Sequence, residues 1–131
     1  MIVVDASAAL AALLNAGPPR QALSDQQLHA PHLIDAEVAS GLRRLVLAAQ
    51  IPAAAGWAAL DTLRRLGMTR HPGYPLLDRV WELRENLSAY DATYVALAEQ
   101  LTCGLVTADG RLSRAPGLRC AVTVIPGDAP R

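Results

Sequence analysis

Apolar residues in this chain gather in short β-branched runs and in longer stretches with helical spacing, and the two kinds alternate. Met1 to Val4 is an unbroken apolar run, which predicts a strand buried on both faces. Asp5-Ala6-Ser7 ends it, and Ala8 to Asn15 predicts an Ala/Leu helix stopped by Gly17-Pro18-Pro19. Arg20 to Gln27 reads as a second short helix, and His29 to Leu33 as a weaker strand or connector broken by Pro31. A helix is expected from Asp35 through Glu37 and Arg43-Arg44 to Gln50. Pro52 can open the next at its first turn, running from about Ala53 to Leu66 and stopping at Gly67. Met68 to Arg70 suggests a short edge strand before the His71-Pro72-Gly73 turn. Leu76 to Asn86 is expected to be helical, with Leu77, Val80, Trp81 and Leu83 as its apolar side.

The stretch from Leu87 to Leu112 carries the most information. LSAYDATYVALAEQL predicts a helix, Gly104 a tight stop, LVT a strand, and Asp109-Gly110 a turn. Ala121 to Ile125 is the last predicted strand, and Pro126 to Arg131 reads as a frayed tail. Strands alternating with helices predict an α/β/α sandwich with a mostly parallel central sheet. With no internal repeat or linker, one domain is expected over residues 1–131.

Composition narrows the chemistry. A chain of 131 residues can build one core but not two. Aromatics make up 4% and Phe is absent, so Ala, Leu and Val must fill that core. All 12 basic residues are Arg; they balance 12 acids, giving a formal net charge of +0. A neutral chain has no bulk attraction for a polyanion, which must then be held by local Arg groups or a metal. The absence of Lys excludes a phosphate loop of the Gly-Lys type and Schiff-base chemistry. Cys103 and Cys120 lack CxxC or zinc-type spacing and read as small buried thiols. The N-terminus lacks the basic region of a secretory signal, and the apolar run from Ala6 to Leu14 is too short to span a bilayer. A soluble cytoplasmic protein without membrane partners is expected.

Four carboxylates fall at informative places. Asp5 and Asp109 each follow an apolar strand, whereas Glu37 and Asp91 each sit near a predicted helix start. Each has an ordinary explanation. Asp5 can be an N-cap. Glu37 can favour a helix dipole in its first turn. Asp91 completes an S-x-x-D capping box with Ser88, and Asp109-Gly110 can be a turn. Jointly, they converge on the carboxyl edge of a parallel sheet, where open α/β sheets bind ligands. Converging carboxylates repel one another, and a hard divalent cation relieves that repulsion through oxygen ligands.

Four segments carry a family resemblance: VVDASA at Val3 to Ala8, EVASGLRR at Glu37 to Arg44, LSAYDATYVALA at Leu87 to Ala98, and LVTAD at Leu105 to Asp109. In order and spacing they resemble the PIN-domain ribonucleases, and more narrowly the VapC toxins of type II toxin–antitoxin systems. The resemblance implies a PIN fold and a Mg²⁺ site, with Mn²⁺ as substitute, made by Asp5, Glu37, Asp91 and Asp109. It further implies RNA cleavage, a homodimer, and neutralisation by a VapB-type antitoxin. Ser7 and Thr107 match hydroxyl positions that support the acids in this family. The middle of the chain, Gln50 to Asp78, carries no diagnostic residues.

Other residues admit two readings. Arg44 shares a helix face with Glu37 and can reach an RNA phosphate, remain solvated, or partner a site acid. Arg111 and Arg114 read as solvated surface. His29, His32 and His71 read as ordinary histidines without partner motifs, so they offer no general acid–base pair. Trp57, Leu60, Leu63 and Leu66 form one helical stripe, either core packing or a groove for an antitoxin helix. One rival assignment is an inactive PIN-like binding module. Another is a receiver-like Mg²⁺-binding signalling domain, against which the D-A-S after the first strand and the missing Lys count heavily. A haloacid-dehalogenase-type phosphatase would need Asp where Ser7 stands.

Overall fold

The computed structural model describes residues 1–127, in which strands and helices alternate as the pattern predicts. The elements in order are β1 (Ile2–Val4), α1 (Ala6–Leu14), α2 (Pro18–Leu23), β2 (Leu28–Pro31), α3 (Leu33–Leu47), α4 (Ala53–Arg65) and β3 (Thr69–His71). A 3₁₀ turn (Tyr74–Leu76) leads into α5 (Leu77–Glu82), followed by α6 (Ala89–Gln100), β4 (Gly104–Thr107), α7 (Gly110–Ser113) and β5 (Val122–Val124). The five strands form one sheet in the order β3-β2-β1-β4-β5, and every pairing is parallel. The chain therefore winds outward from β1 in one direction and restarts at β4 in the other. The switch lies between β1 and β4, where such sheets form a crevice beyond their carboxyl ends.

Val3, Val4, Ala30, Leu105 and Val106 fill the centre of the sheet. Against it packs α6, in which every residue from Ala92 to Ala98 is buried. Small side chains let this helix sit close beneath β1, β2 and β4. The opposite layer holds α1 and α3, where Gly41 meets Leu10; a Cβ there would come within 2.5 Å of Leu10 Cδ1.

Several expectations need correction. Pro18 and Pro19 do not lie in a break before a helix but occupy its first turn, because proline's fixed φ and missing N–H cost nothing there. The reversal before β4 is made by Thr102 in the left-handed region (φ 53), and Gly104 instead opens the strand. On α5, Val80 and the following Leu83 are buried, but Leu77 and Trp81 face solvent at 59% and 67% exposure. The short helix has room to bury only one narrow side. The residue before the predicted tail is held to the sheet, the Ile125 amide donating to Thr107 O at 2.8 Å, and within the tail Gly127 lies against Ala108. The rest of that predicted tail, residues 128–131, lies outside the described residues.

Candidate active site

Asp5 stands where β1 becomes α1. Its extended backbone makes it the helix N-cap, and Oδ1 accepts the Ala8 amide at 2.9 Å. The carboxylate does more than cap. Ser7 Oγ donates to Oδ1 at 2.6 Å, and Thr107 Oγ1 donates to Oδ2. Each hydroxyl has one proton to give, so both are spent on Asp5. As acceptors, Ser7 Oγ takes the Ala108 amide and Thr107 Oγ1 takes the Asp109 amide. This network ties the end of β1 to the end of β4. Asp5 is 5% exposed and Thr107 fully buried. Burial raises the Asp5 pKa, opposed by Ser7, Thr107 and the Ala8 amide.

Glu37 lies one turn inside α3, not in its first turn. The helix begins at Leu33, and the first-turn place belongs to Asp35, which pairs in a fork with Arg70 of β3. Glu37 turns instead to α6, where the Tyr94 hydroxyl donates to Oε1 at 2.7 Å. Burial lifts the Glu37 carboxyl above the usual range, the Tyr94 bond opposes it, and Asp91 and Asp5 add repulsion. Tyr94 is itself 1% exposed, with its phenol pushed up by burial and by Glu37.

Asp91 is in the first turn of α6. Ser88 is the N-cap and its Oγ accepts the Asp91 amide at 3.2 Å. Burial raises the Asp91 pKa and Asp109 raises it further, against opposing contributions from Arg111 and Ser88. Asp109 behaves in the opposite way. It caps the short α7 and is held by Arg111, whose Nη2 donates to Oδ2 at 2.9 Å and whose Nε donates to Oδ1 at 3.1 Å. That guanidinium lowers the Asp109 pKa. Arg111 is thus exposed, as expected, but it is not free of the site.

Asp5, Glu37, Asp91 and Asp109 line one cavity of about 250 Å³, together with Ser7, Ser40, Arg44 and Tyr94. Arg44 Nη1 donates to Ser40 Oγ at 3.1 Å, and both residues line the cavity. Tyr94 and Ser40 escape sequence reasoning. Their signal was spacing, since each lies three residues after a site acid and so on the same helical face.

The donor set fits a hard divalent cation in chemistry: four carboxylates in one cavity, three with raised pKa through burial and mutual repulsion. As they stand, no three acidic, His or Cys side chains among the described residues are gathered closely enough to hold one ion. The oxygens have other partners: Asp5 has its hydroxyls, Glu37 has Tyr94, and Asp109 has Arg111. The acids share a cavity without being drawn together around one point.

The three histidines line neither this cavity nor the adjoining cleft. His29 and His71 do have a partner, each other, with Nδ1 and Nε2 2.9 Å apart across β2 and β3. Cys103 and Cys120 are free and half-buried rather than fully buried. The predicted Trp57 stripe divides: Leu63 is core at 1% exposure, whereas Trp57 is 59% exposed beside a groove between α3 and α4. No helix among the described residues is long and apolar enough to cross a membrane.

The all-parallel α/β fold is matched by comparison with known proteins. The PIN domain family model matches residues 2–118. The chain belongs to the PIN-domain family. Within it, the chain falls among the VapC proteins: it is 60% identical to Ribonuclease VapC9 of Mycobacterium tuberculosis over 126 residues, covering 96% of this chain and 99% of that protein. Ribonuclease VapC1 of the same species is 44% identical over 128 residues, covering 94% and 96%. Among solved structures, PAE2754 from Pyrobaculum aerophilum superimposes with a TM-score of 0.74 at 25% identity, covering 92% of this chain and 81% of that one. Mycobacterium tuberculosis VapC20, described as a toxin cleaving the sarcin-ricin loop, superimposes with a TM-score of 0.66 at 21% identity, covering 87% and 94%.

Proposed function

We propose that this chain is a divalent-metal-dependent endoribonuclease toxin that hydrolyses RNA phosphodiester bonds. The observation that carries the reading is the arrival of four carboxylates, from β1, α3, α6 and the end of β4, in one cavity. The ribonuclease names of the VapC relatives support the substrate class. Asp5 and Asp109 are the primary candidates to hold Mg²⁺ or Mn²⁺, with Glu37 and Asp91 completing the site directly or through water. A cation bound there supplies positive charge to the phosphoryl oxygens and Lewis acidity toward the reacting groups.

The chain's own residues then have separable tasks. Ser7 and Thr107 hold Asp5 by both oxygens, which fixes its orientation. Tyr94 holds one oxygen of Glu37 and leaves the other toward the cavity, where it can orient an attacking water. Arg44, at the rim, is placed to meet a phosphate. No His pair faces the cavity to run the 2′-hydroxyl mechanism, which favours attack by water.

The groove between α3 and α4 suits a VapB-type antitoxin helix. Leu42, Val46, Leu47, Gly56, Trp57 and Leu60 are among its lining, with Leu47 68% exposed. The homodimer implied by the resemblance has a candidate face in exposed Tyr74, Leu77 and Trp81.

The test is cleavage of total RNA by the purified chain, with and without chelator, beside Asp5→Asn. Cleavage that stops with chelator, returns with Mg²⁺ or Mn²⁺, and is absent in the variant is expected. Full cleavage by metal-stripped protein in excess chelator would overturn the reading.

A further inference from the structure

A second cleft opens beside the carboxylate cavity. It has a volume of about 480 Å³, is lined by Asn86, Ser88, Arg111 and Arg114 among others, and shares Asp91 and Asp109 with the carboxylate cavity. Two cationic side chains therefore border a space continuous with the acids. One of them, Arg111, is engaged: its fork closes on both oxygens of Asp109, while the backbone amide of Arg111 also donates to Oδ1. The guanidinium side chain is 84% exposed.

We propose that Arg111 is an exchangeable cation: it clasps Asp109 when the site lacks metal, and swings into the adjoining cleft to hold an RNA phosphate when metal takes Asp109. The inference rests on the metal-dependent reading above. It follows from competition for one carboxylate. A guanidinium fork and a divalent cation want the same oxygens. An exposed ion pair contributes little net stability, so a cation of twice the charge displaces it readily. The backbone amide contact to Oδ1 does not depend on the guanidinium, so α7 keeps its cap. The freed Arg111 then lies beside Arg114 at the cleft, where a strand leaving the carboxylate cavity would present its next phosphate. Metal and RNA binding become coupled through one side chain: each favours the state in which Arg111 leaves Asp109.

The experiment uses the whole chain, its Arg111→Gln variant, and Arg119→Gln as a control that removes the same charge from the opposite end of β5. Titration calorimetry with Mn²⁺ is expected to show about two- to fivefold tighter binding in Arg111→Gln and no change in Arg119→Gln. Arg111→Lys, which keeps the charge and loses the fork, should fall between. Binding of a fluorescent single-stranded RNA is then measured in chelator and in Ca²⁺, with the RNA checked intact on a gel. Loss of Arg111 should weaken binding more in Ca²⁺ than in chelator. An Mn²⁺ affinity in Arg111→Gln equal to that of the parent, or an RNA penalty equal in both conditions, overturns the exchange. Failure of the parent to bind Mn²⁺ in an Asp5- and Asp109-dependent manner instead overturns the metal-centre reading beneath it.

Discussion

The Tyr94 hydroxyl donates to Glu37 Oε1 at 2.7 Å and joins α6 to α3 across the carboxylate cavity. Tyr94 is buried and Glu37 is only partly so, which makes the phenol the fixed member of the pair. Tyr94→Phe removes the donor and keeps the ring. Loss of a hydrogen bond to a charged group costs about 1.5–3 kcal/mol, and the Glu37 carboxylate loses the contact that opposes its burial. A lower melting temperature and roughly tenfold slower RNA cleavage are expected, read by calorimetry and a gel-based rate. Unchanged cleavage would remove Glu37 positioning from the account.

Thr107 is fully buried and gives its one hydroxyl proton to Asp5. Thr107→Val keeps the shape, strips a donor from Asp5 and leaves the Asp109 amide without its acceptor. The expected cost is about 1–3 kcal/mol. The Asp5 pKa, already raised by burial, should rise further, so the acid limb of the Mn²⁺-binding profile should move to higher pH. Melting curves and Mn²⁺ titrations across pH check both effects.

Asp91→Ala separates a capping acid from a site acid. Ser88 Oγ accepts the Asp91 backbone amide, which alanine retains, so the cap survives. The carboxylate itself is burdened by burial and by Asp109. Metal-free melting should therefore change little or rise, while the extra stability conferred by millimolar Mn²⁺ should shrink. Paired melts that show a loss without metal and an unchanged Mn²⁺ increment would assign Asp91 to the helix end alone.

Glu37 also makes a pH prediction. Its folded pKa is raised, chiefly by burial, so the native state binds the proton more tightly than the unfolded chain. The native state is then favoured below the ordinary carboxylate value, and this advantage is lost as pH rises through the folded pKa. His29, whose pKa is lowered by burial and His71, pulls the opposite way on acidification, so the comparison must be differential. The melting temperature of metal-free Glu37→Gln minus that of the parent should be positive near neutral pH. It should shrink as pH falls toward about 4.5. A difference independent of pH would contradict a strained Glu37.

The succession of strands and helices along the chain was legible because the β-branched runs at Ile2–Val4 and Val122–Val124 and the Ala/Leu stretches are clear in period, whereas the order of the strands within the sheet was not. The four acids were legible because each falls at a strand end or near a helix start. What the sequence hid was pairing across distance. Nothing local says that Tyr94 meets Glu37, or that His29 meets His71, since those contacts arise only when the fold brings α3 and α6 to one cavity or β2 registers with β3. Arg111 was hidden differently: two residues after Asp109 it looks like solvated surface, and only the turn into α7 folds its fork back onto that acid. Leu77 and Trp81 read as core because periodicity cannot tell which side of a short helix has a neighbour.

On the proposed mechanism, water directed by the carboxylate cavity attacks phosphorus in RNA, with no 2′-hydroxyl attack driven by a histidine pair. Terminal analysis of the fragments released from a defined RNA in Mg²⁺ tests it most directly. Fragments ending in 3′-hydroxyl and beginning with 5′-phosphate are predicted. Fragments ending in 2′,3′-cyclic phosphate, released at the same rate by the Asp109→Asn variant, would contradict it.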